Sequence, residues 1–188
     1  MKQLKLTLIL SGLLLFISSC EKDEPKDPVI PNEEEVITTL TYTLTPSAGG
    51  TPIVFSFQDL DGDFGNQPTV SEDTLSSQTT YTGSIQLLNE LESPAEDITL
   101  EVSAEANEHQ FFFQSSTSDL SVSYNDADGN SNPVGIITTL TTTTTGASTL
   151  TITLKHKPNK GALGVKDGDI TNAGGETDIE VTFNVVVQ

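Results

Sequence analysis

Strict alternation of apolar and polar residues is the feature of this sequence that most restricts its fold. Leu40, Tyr42 and Leu44 alternate with threonines, and the run from Ile179 to Val187 follows the same two-residue period. Successive side chains of a strand point to opposite faces of a sheet, so such runs predict strands with one buried face. Further runs of this kind occur at residues 53–57, 81–87, 120–124 and 150–154.

Segments rich in Gly, Pro, Asn and Asp separate these runs, at residues 46–52, 59–68, 125–133 and 145–148. Residues 138–146 read TTLTTTTTG, and because threonine is β-branched this run favours strand over disorder. About seven to nine antiparallel strands with turns at this spacing predict a mainly β fold, a single immunoglobulin-like β-sandwich. A closed barrel is the alternative architecture.

The amino terminus reads as a lipoprotein signal. Lys2 and Lys5 precede an apolar stretch at 6–17, which is too short for a stable transmembrane anchor and ends in ISSC at residues 17–20. The stretch resembles a bacterial lipobox, which implies a cleaved signal peptide at 1–19 and a lipid on Cys20 that anchors the protein to a membrane. The alternative is an ordinary secretory signal with an incidental cysteine. Cys20 is the sole cysteine, so disulfides and thiolate metal sites are excluded.

Residues 20–35 are rich in charge and proline and predict a solvated acidic tether, followed by a β-sandwich domain at 36–188. The acidic residues directly after Cys20 resemble the surface-export signal of Bacteroidota lipoproteins. This resemblance implies a lipid-anchored protein at the outer membrane, on its extracellular face. Retention on the periplasmic face is the alternative.

The charge balance excludes one class of partner. The chain has 27 acidic residues against eight basic ones, with a net charge of -19, and residues 27–154 contain neither Lys nor Arg. Such a surface repels phosphate backbones, so we expect no nucleic acid to bind. The same surface attracts cations weakly, although acidity for solubility alone explains it equally well.

One segment predicts a helix at about 94–109. Ser93, Pro94 and Glu96 match an N-cap, a first-turn proline and the glutamate of a capping box. On a helical wheel, Glu105 and His109 then fall within the apolar stripe and lie four residues apart, so that their side chains can converge.

Glu105 and His109 suggest a metal site. His156 continues the apolar face of the strand at 150–154, which places it at the edge of the core. We therefore predict that Glu105, His109 and His156 bind zinc or another divalent ion. The candidates for a fourth ligand are Glu101, Glu108 and Glu176. The alternative is a helix-surface Glu–His pair and an unrelated second histidine.

Two acidic loops resemble calcium loops in their spacing of oxygen ligands. The first contains Asp59, Asp61 and Asp63, and the second contains Asp126, Asp128 and Asn130. Neither has a glutamate at the twelfth position, which an EF-hand requires. Hairpin turns are the simpler explanation for both loops.

The residues EEEVITTLTYTLTP, FQDLDGDFGN, SPAEDITLEV, EHQFFF, HKPNKGALGVKDGDI and GGETDIEVTF together resemble a family of Bacteroidota lipoproteins. The family carries the label "type 1 periplasmic binding fold superfamily protein", and the resemblance covers about residues 33–188. It implies a lipoprotein and adds no mechanism. The fold in that label needs two lobes of alternating strands and helices, whereas these residues predict antiparallel strands and one helix.

We expect a non-catalytic binding module, with a divalent metal ion such as zinc as its ligand. The alternatives are a structural or adhesive surface lipoprotein without a small ligand, or an accessory protein of an outer-membrane transporter. An enzyme is not expected, because the sequence contains no nucleophile elbow, no phosphate-binding glycine loop and no thiol nucleophile in the mature domain.

Overall fold

The computed structural model describes residues 35–62 and 65–188. The predicted signal peptide, Cys20 and residues 21–34 of the predicted tether lie outside the described residues, and so does Asp63 of the first acidic loop. Within the described ranges, no helix has the length and apolar character needed to cross a membrane.

Strands dominate the described part of the chain, and the helical elements are short. The strands are β1 (Thr39–Pro46), β2 (Ile53–Gln58), β3 (Thr69–Val70), β4 (Asp73–Leu75), β5 (Thr80–Asn89), β6 (Glu96–Asp97), β7 (His109–Ser115), β8 (Leu120–Tyr124), β9 (Ile137–Thr142), β10 (Gly146–His156) and β11 (Glu176–Val187). The α-helix α1 (Ile98–Ala104) lies between β6 and β7, and two 3-10 helices cover Val165–Asp167 and Ile170–Asn172.

The strands form two sheets. The larger one has the order β3-β2-β1-β5-β9-β8, with β6 paired to β5, and its neighbours are antiparallel. The smaller one has the order β4-β11-β10-β7, in which β4 and β11 are parallel. The prediction of a mainly β fold is confirmed. The prediction of purely antiparallel strands is wrong for one pair, because β4 follows β3 of the larger sheet and joins the smaller sheet beside the last strand.

One apolar core lies between the sheets, as in a β-sandwich. Phe55 of the larger sheet and Phe183 of the smaller sheet are both fully buried, with ring centroids 5.5 Å apart. Along β11, Ile179 to Val187 alternate between buried and exposed as the sequence predicts. Burial of each large apolar side chain is worth about 1.5–3 kcal/mol, so this alternation fixes which face of the strand turns inward.

The helix is shorter than the sequence predicts, and its boundaries at 94–109 are wrong. Its N-cap is Asp97 rather than Ser93, with the Asp97 side chain accepting a hydrogen bond from the Thr99 amide. Glu96 and Asp97 instead pair with β5 as β6. Ile98 and Val102 are the buried residues of the helix, and Leu100 between them is 70% exposed.

The helix ends early because the following segment joins a sheet. Glu105 is its C-cap, and His109 begins β7, whose sequence HQFFFQS pairs with β10. Consecutive aromatic residues favour a strand, and pairing on the edge of the smaller sheet satisfies the backbone. Glu105 and His109 therefore lie on different elements, so the prediction that both lie on one helical face is wrong.

Candidate metal centre

His109 and His156 meet where two neighbouring strands begin and end. His109 is the first residue of β7 and His156 the last of β10, and the two are directly opposite each other in the antiparallel register. Their rings are stacked, with centroids 4.8 Å apart and an angle of 8° between the planes. His109 is 0% exposed and His156 is 4% exposed.

Two buried carboxylates lie on the Nε2 side of His109. Glu35 Oε1 is 3.2 Å from His109 Nε2, and Asp178 Oδ2 is 3.9 Å from the same atom. The Glu35 side chain is 6% exposed and the Asp178 side chain 2% exposed. Glu35 comes from the segment before β1, which the sequence assigns to the solvated tether, and Asp178 comes from β11.

A β-bulge brings Asp178 to this position. Leu154 pairs with Ile179, but the next residue, Lys155, pairs with Thr177, so Asp178 is the extra residue of β11. Simple alternation from Ile179 would turn Asp178 outward, whereas a bulge re-aims side chains in this way. The bulge thus explains how a carboxylate comes to be buried beside a strand whose apolar alternation is otherwise regular.

The hydrogen bonds of His109 leave Nε2 unsatisfied. Its Nδ1 lies 3.3 Å from the Glu105 carbonyl oxygen, an arrangement that fixes the ring and leaves Nε2 for another partner. Glu35 Oε1 lies 3.2 Å from Nε2, and this contact is an ion pair when His109 is protonated. Among the described residues, His109 Nε2 and Glu35 Oε2 have no hydrogen-bond partner.

The charges around His109 change how it titrates. Burial by itself lowers the pKa of His109, but the contact with Glu35, the Glu35 charge and Asp178 together raise that pKa above its ordinary value. The contact with His109 in turn lowers the pKa of Glu35. Burial and the negative charges of Glu35 and Glu105 raise the pKa of Glu101 nearby, which indicates an excess of negative charge.

The potential ligand atoms form two groups that share His109. The inner group consists of Glu35, His109 and Asp178, and the outer group of Glu105, His109 and His156. Within each group, one ligand atom per residue lies within 4.8 Å of the others. The outer group is the set of three that the sequence predicts, so the structure does bring those side chains together, although along a different route through the fold.

The inner group is better arranged to hold an ion. One imidazole nitrogen and two carboxylates are a ligand set that zinc and similar divalent ions accept, with a position left open. In the outer group, the rings of His109 and His156 are nearly parallel, so their in-plane lone pairs run side by side rather than toward one point. Glu105 is also exposed, whereas the sequence predicts it within a buried stripe.

The three candidates for a fourth ligand, Glu108, Glu176 and Glu101, belong to neither group. Glu108 Oε2 is 3.6 Å from His156 Nε2 and 3.4 Å from Lys157 Nζ, with the Glu108 side chain 50% exposed. Glu176 is exposed and pairs with His156 in the β10–β11 register. Glu101 is exposed on α1 and is not part of either group.

A lysine from elsewhere in the chain is already paired with the second acidic loop. The buried Lys160 ammonium donates hydrogen bonds to Asp128 Oδ2 at 3.1 Å, the Ala106 carbonyl at 2.6 Å and the Pro133 carbonyl at 3.0 Å. The other oxygen of Asp128 accepts hydrogen bonds from the backbone amides of Asn130 and Asn132. A calcium ion would compete with this lysine for Asp128.

The remaining loop carboxylates make backbone hydrogen bonds of the kind that shape turns. Asp126 accepts from the amides of Gly135 and Ile137, and the Asn130 side chain donates to Asn107. In the first loop, Asp59 accepts from the amides of Asp61 and Gly62, and Asp61 accepts from Asn66. These contacts favour the hairpin-turn interpretation of both loops over calcium binding.

Comparisons of the chain with protein-family models, curated proteins and solved structures found no match. The inner and outer groups are therefore the features of the molecule that bear on its function.

Proposed function

We propose that this chain is a lipid-anchored outer-membrane protein, exposed on the cell surface, whose domain is a non-catalytic binding module for a divalent metal ion such as zinc. The ISSC stretch and the acidic residues that follow it support the anchor and the location. The inner group supports the ligand. The predicted immunoglobulin-like type of sandwich and the resemblance to Bacteroidota lipoproteins belong to the same proposal, with an outer-membrane transporter as the class of partner.

One observation carries the metal proposal. His109 Nε2 and Glu35 Oε2 are buried and have no hydrogen-bond partner among the described residues. A buried polar atom without a partner costs about 1–3 kcal/mol, and a charged one costs more. A divalent cation bound between them would give both atoms a partner.

Charge balance points in the same direction. The carboxylates of Glu35 and Asp178 carry up to two negative charges, against at most one positive charge on His109. A divalent ion bound to neutral His109 would bring the group to zero net charge. The ion would replace the proton on Nε2, while the Glu105 carbonyl continues to hold Nδ1.

Zinc titration of the purified protein tests this proposal. After treatment with a chelator, calorimetry and elemental analysis should find about one equivalent of Zn²⁺ per chain, as expected for one three-ligand site. His109→Gln should abolish binding, since it removes the nitrogen that both groups share. Glu35→Gln should weaken binding by about tenfold or more, because even residues that only hydrogen-bond to a metal ligand contribute about 10–100-fold to metal affinity.

The second histidine supplies the control. His156→Gln removes an imidazole of the same kind from the neighbouring strand but leaves the inner group intact. Its zinc stoichiometry should stay at one. Circular dichroism of the chelator-treated variants separates loss of binding from loss of folding. If the wild-type protein takes up no divalent ion, the structural or adhesive interpretation replaces this one.

A further inference from the structure

We infer that the outer group is a capture site, through which a divalent cation passes on its way to the inner group. This inference rests on the proposed function, because it assigns a role to Glu105 and His156 in loading the same site. On this inference, the two overlapping groups are successive binding positions for one ion rather than two separate binding sites.

The two groups differ in how far their side chains are buried. The inner side chains of Glu35, His109 and Asp178 are 6%, 0% and 2% exposed, so a hydrated ion cannot meet them directly. Glu105 is exposed and the Glu108 side chain is 50% exposed. An ion that arrives from solvent on the side of Glu105 and Glu108 therefore meets these carboxylates before it reaches the inner group.

The shared histidine makes the transfer short. His109 belongs to both groups, and its ring stacks on that of His156 at 4.8 Å. An ion bound by Glu105 of the outer group and the neighbouring Glu108 can exchange its waters for protein ligands one at a time, so no step requires complete dehydration. A charge is costly to bury without partners, so stepwise replacement of waters by protein ligands lowers the barrier to a buried site.

The turn that carries Glu105 and Glu108 is held in place by hydrogen bonds. The Glu108 amide donates to the Glu105 carbonyl at 2.8 Å, and the Lys157 amide donates to the Glu108 carbonyl at 2.6 Å. Lys160 donates to the carbonyl of Ala106 at 2.6 Å. Lys157 Nζ lies 3.4 Å from Glu108, where an arriving cation would take over its attraction to the carboxylate. A fixed turn keeps the two carboxylates beside His156.

Stopped-flow measurement of Zn²⁺ uptake tests the inference, with a chromophoric chelator reporting the free ion. In Glu105→Gln/Glu108→Gln, the association rate constant should fall by about tenfold, because negative charges around a site raise the association rate of a cation by about tenfold or more. The dissociation rate constant should fall by a similar factor, because the ion leaves by the same route. The Kd should then change by less than about threefold, as screened surface charges contribute little at equilibrium.

Glu92→Gln/Asp167→Asn is the matched control, because it removes the same two charges from exposed positions outside both groups. The control should bind Zn²⁺ at nearly the wild-type rate. If the outer double variant loads as fast as the control, the capture site is wrong while the metal-binding proposal stands. If its Kd rises as much as its rate falls, the ion resides in the outer group, which also overturns the inference. Failure of the wild-type protein to bind Zn²⁺ would instead refute the proposed function itself.

Discussion

His109 Nε2 lies 3.2 Å from Glu35 Oε1, which joins the segment before β1 to the first residue of β7. The contact is buried on both sides, and the backbone carbonyl of Glu105 holds the other nitrogen of the ring. These contacts join the segment before β1, the end of α1 and the start of β7 at one point. An ion bound there would therefore affect the stability of the whole domain as well as the local geometry.

Zinc should raise the thermal stability of the protein. A ligand present at 100 times its Kd stabilises the folded state by about 2.7 kcal/mol, provided that it does not bind the unfolded chain. For a domain of this size we expect the Tm to rise by about 5–10 °C. Differential scanning calorimetry with and without Zn²⁺ measures the shift, and His109→Gln should show none.

The metal-free protein should lose stability on both sides of neutrality. The raised pKa of His109 means that its contribution is fully present below the ordinary value of 6.5 and is lost as the pH rises through the higher folded value. The lowered pKa of Glu35 means that its contribution is present above the ordinary value of 4.5 and is lost as the pH falls through the lower folded value.

Urea unfolding across this pH range, with a chelator present, measures both effects. His109→Gln should flatten the alkaline side and Glu35→Gln the acid side. Saturating Zn²⁺ should also remove the alkaline loss, because the ion binds neutral His109 and replaces the proton. An alkaline loss of equal size in His109→Gln would show that another group is responsible.

The fold could be predicted where the interactions that decide it are local. The alternation of β11 from Ile179 onward determines its buried face, and the exposed position of Leu100 follows from the helical period. The ends of the helix could not be predicted in this way. Pairing of Glu96 and Asp97 with β5 prevents an N-cap at Ser93, and pairing of β7 with β10 removes His109 from the helix.

The site could be predicted only in part, for related reasons. His109 and His156 stand out in the sequence as polar residues at the edge of apolar runs. Glu35 reads as one more acidic residue of the tether, because its contact with His109 crosses more than seventy positions of the chain. Asp178 directly precedes an alternating run, and only the bulge opposite Leu154 and Lys155 turns it inward. A carboxylate at the start of a strand after Gly-Gly is the one local signal that could have suggested it.

The buried Lys160–Asp128 pair should be important for stability. The side chains of Lys160 and Asp128 are 5% and 0% exposed, and both are extensively hydrogen-bonded. Burial alone would raise the pKa of Asp128, but hydrogen bonds from the Asn132 amide and Lys160 lower it, which shows that the carboxylate is stabilised as an anion. Lys160→Met should leave that anion without its cation and cost about 3–5 kcal/mol in the free energy of unfolding.

Chemical denaturation of Lys160→Met measures this loss, and Lys155→Met is the control. Lys155 donates to Thr177 at an exposed position, so its removal deletes the same charge with little effect on stability. If both variants unfold at the same urea concentration as the wild-type protein, the pair is not a structural element of the second acidic loop.

The anchor prediction is independent of the metal site. Cys20→Ser removes the thiol on which the lipid would be carried, so the protein should lose the lipid and keep an unprocessed signal peptide. Fractionation followed by mass spectrometry of the amino terminus measures both changes. A serine variant that remains membrane-bound and is processed as before would show that Cys20 is incidental.

A crystal structure of the protein grown with Zn²⁺ is the most direct test of the central claim, which is that the inner group holds the ion. We expect one anomalous peak at about 2.0–2.1 Å from His109 Nε2 and at about 2.0–2.2 Å from carboxylate oxygens of Glu35 and Asp178. A peak bound to His156 and Glu105 without Glu35, or an inner group that excludes zinc at saturating concentration, would contradict it.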